Sequence, residues 1–453
     1  MPKERSNIGV GRHQNAVYFY GVMLYLFTQL VDGPIRFGLR SVNLELFLYL
    51  RDFLLIVILT IAFGTSVIRG KFNKLFFIIL IILIFYVFVG FVYIANLPQI
   101  LFGLKIILPF LVGTICYNSI FSNIRRTTRF FYFFLLTACI GLYINFFAKY
   151  PWQGLIYNIG NIEIKGGLDS NTLGISRLGG FARTNFEAAS QIMLLVIYMV
   201  VFARSKGFRI VLWIAAGAAI AMTMTKGIAS IYVILSLFFA ADAMAPKLHK
   251  LYRGLLIVPI CVMILLPLMQ TKSKIDYSDS LQVILFASFV DRIENGWPPV
   301  FENVLEKGNI LTGRGVGGTG AGEQYFAAEI KGSPDNMFVY LYAWFGLFSV
   351  VLFGLLYWKS QKLNILSRRE DICVFLWLAS ILLYGITANI IESAFFAFFL
   401  GLCVAHISRL GGEKRLFASF QMGSTQKGIA RSRSMPVRLT LPGLEWYYKD
   451  RPE

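Results

Sequence analysis

Of the 453 residues, 57% are hydrophobic and only 15% are charged, and apolar runs recur along the whole chain. Such proportions exclude a water-soluble globule and predict an all-α integral membrane protein, because a helix pairs its own backbone polar groups where lipid offers no partner. The formal net charge of +19 does not point to nucleic acid. The basic residues sit in short loops between apolar runs, where the positive-inside rule explains most of them.

In chain order, segment 1–15 carries Lys3, Arg5 and Arg12 and is expected in the cytoplasm. The first span, 16–31, ends in LVDGP without a small-residue cleavage pattern and is expected to stay as a signal anchor. Spans follow over 53–68, 75–95, 101–117 and 130–147. The basic turns Arg69, Lys71, Lys74 and Arg125, Arg126, Arg129 mark one side, and the uncharged NLPQI marks the other. A polar excursion, 149–187, lies outside. Spans 188–203, 210–225, 227–243 and 254–269 then lead to a second outer loop, 270–335. The last spans cover 337–358, 372–388 and 394–407. About twelve spans over 16–407, with two large periplasmic loops, leave both termini inside. The tail 408–453, basic and rich in Ser and Gly, reads as disordered near anionic head groups. Cys116, Cys139, Cys261, Cys373 and Cys403 lie in or at the ends of apolar segments, which suits packing better than disulfides or metal ligands.

The outer cations Arg177, Arg183, Lys226, Arg292 and Arg314 are not explained by the positive-inside rule. Two readings compete: they converge on a phosphate-bearing substrate, which guanidinium groups bind by planar, bidentate hydrogen bonds, or each is a solvated loop residue reaching to head groups. Lys226 sits in a tight junction between two apolar helices, where an unpaired ammonium is expensive. The cluster Gly313, Gly315, Gly317, Gly318, Gly320 and Gly322 either cradles phosphates with backbone amides or makes a tightly turning loop; it matches no nucleotide-binding fingerprint. Asp335 and Asn336 follow Pro334 at the start of a helix and suit both capping and catalysis. His13, His249 and His406 fall on the cytoplasmic side, and metal-ligand spacing is absent.

Three blocks carry a resemblance. RLGGFARTNFEAA supplies Arg177, Gly180, Phe181, Asn185 and Ala188; TMTKGIAS places Lys226 where an arginine is usual; DRIENGW, LTGRGVGG and DNMFVYLYAWFG supply Arg292, Trp297, Gly313 to Gly318 and Gly346, with Asp335 in the place of a histidine. Together they resemble the O-antigen ligase and polymerase family, the GT-C-like integral membrane glycosyltransferases of the WaaL and Wzy type. The match runs from Arg177 to Gly346 and fits repeat-unit polymerases better than lipid A core ligases. The resemblance implies transfer of a glycan from undecaprenyl diphosphate to a hydroxyl of a second lipid-linked oligosaccharide, at the periplasmic face of a bacterial inner membrane, without metal or cofactor. It implies a catalytic set of Asp335, Arg292 and Lys226, and a diphosphate held also by Arg177, Arg183 and Arg314. Asn185, Asn336 and Trp297 would support the site. Asp335 would orient or deprotonate the acceptor. Membrane lipid, a chain-length regulator and export proteins are the further partners it brings. The chemistry agrees, since a departing diphosphate builds negative charge that fixed cations stabilise. A ligase acting on a lipid A core, and a flippase or transporter of polyprenyl-linked oligosaccharides, remain the alternatives.

Overall fold

A computed structural model describes residues 3–70, 73–159, 162–165, 167, 170–172, 175–240, 245–269, 287–327, 332, 334–365 and 368–410. The expected basic tail, from 411 onward, and part of the second outer loop, 270–286, lie outside the described residues. The chain is mostly helical. α1 (Lys3–Leu30) and the short α2 (Asp32–Ser41) lead through a 3₁₀ turn, Glu45–Tyr49, into α3 (Leu50–Arg69). α4 (Lys74–Tyr93), α5 (Leu97–Phe121) and α6 (Ile124–Phe147) follow. Two small antiparallel hairpins, β1 (Ile156–Ile159) with β2 (Ile162–Lys165) and β3 (Ser170–Thr172) with β4 (Ile175–Arg177), occupy the first polar excursion. Then come α7 (Asn185–Phe202), α8 (Lys206–Met222), α9 (Lys226–Ala240) and α10 (Ala245–Leu265). The second excursion holds α11 (Pro298–Lys307) and α12 (Ala321–Phe326), before α13 (Met337–Phe345), α14 (Phe348–Ser360), α15 (Arg369–Gly385) and α16 (Ala394–Arg409).

Among the described residues, five helical stretches are long and apolar enough to cross a membrane: Glu45–Arg69, α4, α5, α6 and α7. Shorter apolar helices lie in α9, α10, α14 and α16. Helix starts follow ordinary capping chemistry. Asn73, Asn96, Asn123, Thr184 and Ser205 each accept a backbone N–H of the first turn that the helix cannot satisfy.

α4 and α7 are both apolar on every face, but they meet different surroundings. α7 buries every residue from Ala188 to Phe202 and forms the centre of the bundle, whereas α4 leaves Ile81, Phe85, Phe88 and Val92 exposed, as a lipid-facing helix does. α5 and α16 cross through glycines. A Cβ on Gly113 would stand 2.2 Å from the Phe398 carbonyl oxygen, and one on Gly401 2.2 Å from that of Phe110, so only glycine permits this approach.

The span expected over 337–358 is divided. Gly346, at φ +59°, separates α13 from α14. The glycine-rich run docks against the end of α13: the Arg314 N–H donates to Ala343 O at 2.8 Å and the Gly315 N–H to Trp344 O at 3.0 Å. Those carbonyls would otherwise continue the helix ladder, so this part of the cluster makes a tight turn in which the Arg314 and Gly315 amides serve α13.

Segments that the charge alternation puts on one side do meet at one end of the bundle. Gly33 N–H donates to Phe181 O at 2.9 Å, Asn185 reaches Thr223 O at 3.1 Å, and Ala321 N–H reaches Glu392 at 2.7 Å. The other end holds a buried relay in which Tyr117 Oη and Asp371 Oδ1 each stand 2.6 Å from a ring nitrogen of His406. Along α16 the two ends lie about 18 Å apart, at 1.5 Å per residue from Ala394 to His406.

Candidate active site

At the first of these ends a cavity of about 380 Å³ opens between the loops. Its wall includes Asp32, Arg51, Lys105, Arg183, Asp335 and Glu392. Of the residues singled out in the sequence, Arg183, Gly320 and Asp335 therefore face it directly. Arg292 stands behind Asp335, with Nε 3.1 Å from Oδ2, and its Nη1 donates to Ser288 Oγ at 3.1 Å.

Arg177 lies within electrostatic reach of Lys226, which is exposed at the start of α9 and not enclosed in the junction as the sequence suggests. Their like charges act on each other. Among the described residues neither has a carboxylate partner, and the shielded Arg177 Nε has no hydrogen bond at all. Tyr384 links the two pairs, since a Cβ on Gly227 would lie 3.1 Å from its ring and the charges of Arg292 and Asp335 both reach its hydroxyl. Arg177, Lys226, Arg292 and Asp335 are thus neighbours, but of the four only Asp335 lines the cavity.

Asn185 positions Lys226. Its Nδ2 donates to Thr223 O and Thr225 Oγ1, both at 3.1 Å, and so fixes the turn through Met224 (φ +52°) that ends at Lys226. The cap of α7 itself falls to Thr184.

Arg314 is not a cavity residue. It is 3% exposed, its Nη1 donates to Gly318 O at 2.8 Å, and it pairs with Glu323 inside the glycine-rich loop. Trp297 is fully buried, with its ring edge-to-face against Phe289.

Capping and cavity duties divide between Asp335 and Asn336. Asn336 accepts the Phe338 and Val339 N–H groups at 2.8 and 3.1 Å and donates to Ile386 O and Met263 O at 3.0 and 3.2 Å. Asn336→Ala removes a cap of about 1 kcal/mol. It also strands two buried carbonyls, at about 1–3 kcal/mol each. A clear fall in the melting temperature of the purified protein is the expected result. Asn336→Asp should not restore it, since a carboxylate keeps the cap but donates nothing to the carbonyls.

Neither a family model, nor a curated protein, nor a solved structure matches this chain. The site's own chemistry must carry the reading of function.

Sequence reasoning missed the opposite wall. Asp32 is buried and binds two guanidinium groups, Arg36 at 2.7 Å and Arg51 at 2.5 Å; Lys105 pairs with Asp52 at 3.1 Å. Burial works to raise the Asp32 pKa, but Arg51 and Arg36 outweigh it and hold the carboxyl below its ordinary range. Tyr157 of β1 accepts from Arg36 Nη1 at 2.6 Å, which ties the first hairpin to this wall. A signal existed: Arg36, Arg40 and Arg51 lie on the side that alternation makes outer, and so break the positive-inside pattern as Arg183 does.

Proposed function

We propose that this membrane-embedded protein is a glycosyltransferase that polymerises oligosaccharide repeat units carried on undecaprenyl diphosphate, at the periplasmic face of a bacterial inner membrane. About twelve spans with both termini in the cytoplasm belong to the same proposal. One observation carries it: Arg177 and Lys226 stand together as like charges without a carboxylate partner among the described residues, next to the Arg292–Asp335 pair. Two neighbouring cations that repel each other are stabilised by an anion between them, and a diphosphate supplies such an anion.

In this reading Arg177, Lys226 and Arg292 receive the diphosphate as its bond to the anomeric carbon breaks, and Asp335 holds the Arg292 fork in place. Preorganised cations stabilise the developing charge without reorganising during the step. Arg183 stands on the cavity side, where the sugars meet.

The test is deletion followed by analysis of lipid-linked and cell-surface glycans, with complementation. Accumulation of single repeat units on the carrier, with loss of long chains, is the expected result. Long chains that persist on the carrier but no longer reach a lipid A core would make the protein a ligase instead. Repeat units trapped on the cytoplasmic face would make it a flippase.

A further inference from the structure

Between α15 and α16 the chain turns through Asn389 to Ser393, with Ile390 and Ile391 buried as its anchors. Asn389, Glu392 and Ser393 line the cavity. The Asn389 side-chain oxygen is used, accepting the Ile391 N–H at 3.1 Å, but its Nδ2 is shielded from water and has no hydrogen-bond partner. Ser393 is 5% exposed, and its Oγ also has none. A buried donor or acceptor left without a partner is costly, and two beside one carboxyl group in a cavity wall mark a place built for a ligand.

The chemistry of this wall selects the ligand class. Glu392 and Asp335 disfavour an anion here, while an amide donor, a hydroxyl and a carboxylate complement a polyol whose hydroxyls both donate and accept. We propose that the Asn389–Ser393 turn is the acceptor-sugar subsite, and that Glu392 is the base that takes the proton of the attacking hydroxyl. This rests on the glycosyl-transfer reading above. It moves the base from Asp335, which is engaged with Arg292, to a carboxylate that the sequence did not single out.

The step balances. The acceptor oxygen forms its bond to the anomeric carbon, its proton passes to Glu392, and the anomeric carbon–oxygen bond breaks with its electron pair leaving on the diphosphate. Glu392 then returns the proton to solvent.

Position and acidity both suit the task. Oε1 is held by the Ala321 N–H at 2.7 Å, at the start of α12. Burial pushes the carboxyl up to about 7; the Ala321 N–H and Tyr340 work against that rise and the charge of Asp335 adds to it. Across the cavity stand Arg183, Glu187 and Lys105. A base with such a pKa is half ionised near neutrality, so the rate should climb as pH rises through about 7 and level off above it.

The experiment measures polymer formation from lipid-linked repeats in membranes holding matched amounts of protein, from mildly acidic to mildly alkaline pH. Glu392→Gln keeps an oxygen for the Ala321 N–H but cannot take a proton. The expected result is a fall in kcat of about a hundredfold or more, with the acidic limb of the pH profile abolished. Glu392→Asp should keep part of the activity. Asn389→Ala with Ser393→Ala should raise KM for the acceptor and change kcat little. Wild-type rates and an unchanged pH profile in Glu392→Gln would overturn the proposal and leave the polymerase reading intact. If the wild-type protein itself forms no polymer, the glycosyl-transfer reading fails, and this assignment with it. Should Glu392→Gln fail to accumulate, the Asn389 and Ser393 pair decides: an unaltered acceptor KM would reject the subsite.

Discussion

Arg292→Ala is expected to slow chain growth at least about a hundredfold at equal protein level, the loss typical of removing one donor aimed at transition-state charge. The side chain is held by Asp335 through Nε and by Ser288 through Nη1, with 27% of its surface exposed. Both contacts fix the guanidinium without satisfying it, since the charge of a single exposed carboxylate on one edge leaves the rest of the fork for substrate. Arg292→Lys keeps the charge but loses the planar fork, so partial recovery is expected. Asp335→Asn tests the other half of the pair. The ion pair is partly exposed and contributes at most about 1 kcal/mol to stability, so the folded protein should persist while activity falls because Arg292 loses its orientation. If Asp335 acts through Arg292, the double variant should be scarcely slower than Arg292→Ala alone, a non-additivity characteristic of two groups working as one. Full activity in Arg292→Ala would remove it from the mechanism.

What could be read from the sequence was what depends on local pattern. Apolar runs announced the helices, and the alternation of basic and neutral loops grouped Asp335, Lys226, Arg177 and Arg292 on a common side, where they are neighbours. Positions fixed by contacts far along the chain were not legible. Glu392 is aimed by Ala321, 71 residues away, and nothing near ANIIESAFF says which loop will supply that N–H. Yet Glu392 is a lone carboxylate between two apolar helices, the same anomaly that marked Lys226 with the opposite sign. Arg314 shows the converse error. A cation in a polar loop looked available, but the loop folds back into the bundle and Glu323 claims it. Between Asp335 and Asn336 the sequence offered two equal caps, and the extended backbone at Asn336 (φ −154°, ψ 132°) decides which one points at the helix N–H groups.

The same folding back makes Gly315 the position least able to accept a side chain, and Gly315→Val is expected to abolish accumulation of folded protein. The Gly315 N–H caps Trp344 and the next residue, Val316, donates to Tyr86 O at 3.0 Å, so the loop is wedged between the end of α13 and the flank of α4. A Cβ at Gly315 would stand 2.1 Å from Gly90 N, 2.5 Å from Gly90 Cα and 2.6 Å from Tyr86 O. All three are backbone atoms of one helix, so no rotamer change can make room and α4 itself would have to move. Gly315 also has φ +83°, a region that a β-branched residue adopts only under strain of about 1–3 kcal/mol. Overpacking adds about another 1–3 kcal/mol, and the loop would lose its bonds to Trp344 and Tyr86 as it withdrew. Gly354 in α14 provides the control, because a Cβ there meets nothing within 4 Å. Gly354→Ala should be neutral or slightly stabilising, as alanine is the better helix former by about 1 kcal/mol. The measurement is the yield of monodisperse protein after detergent extraction, with thermal unfolding of whatever survives. A Gly315→Val protein that extracts and melts like the wild type would show that the glycine-rich run does not wedge α4 against α13, and would return its amides to consideration as a phosphate cradle.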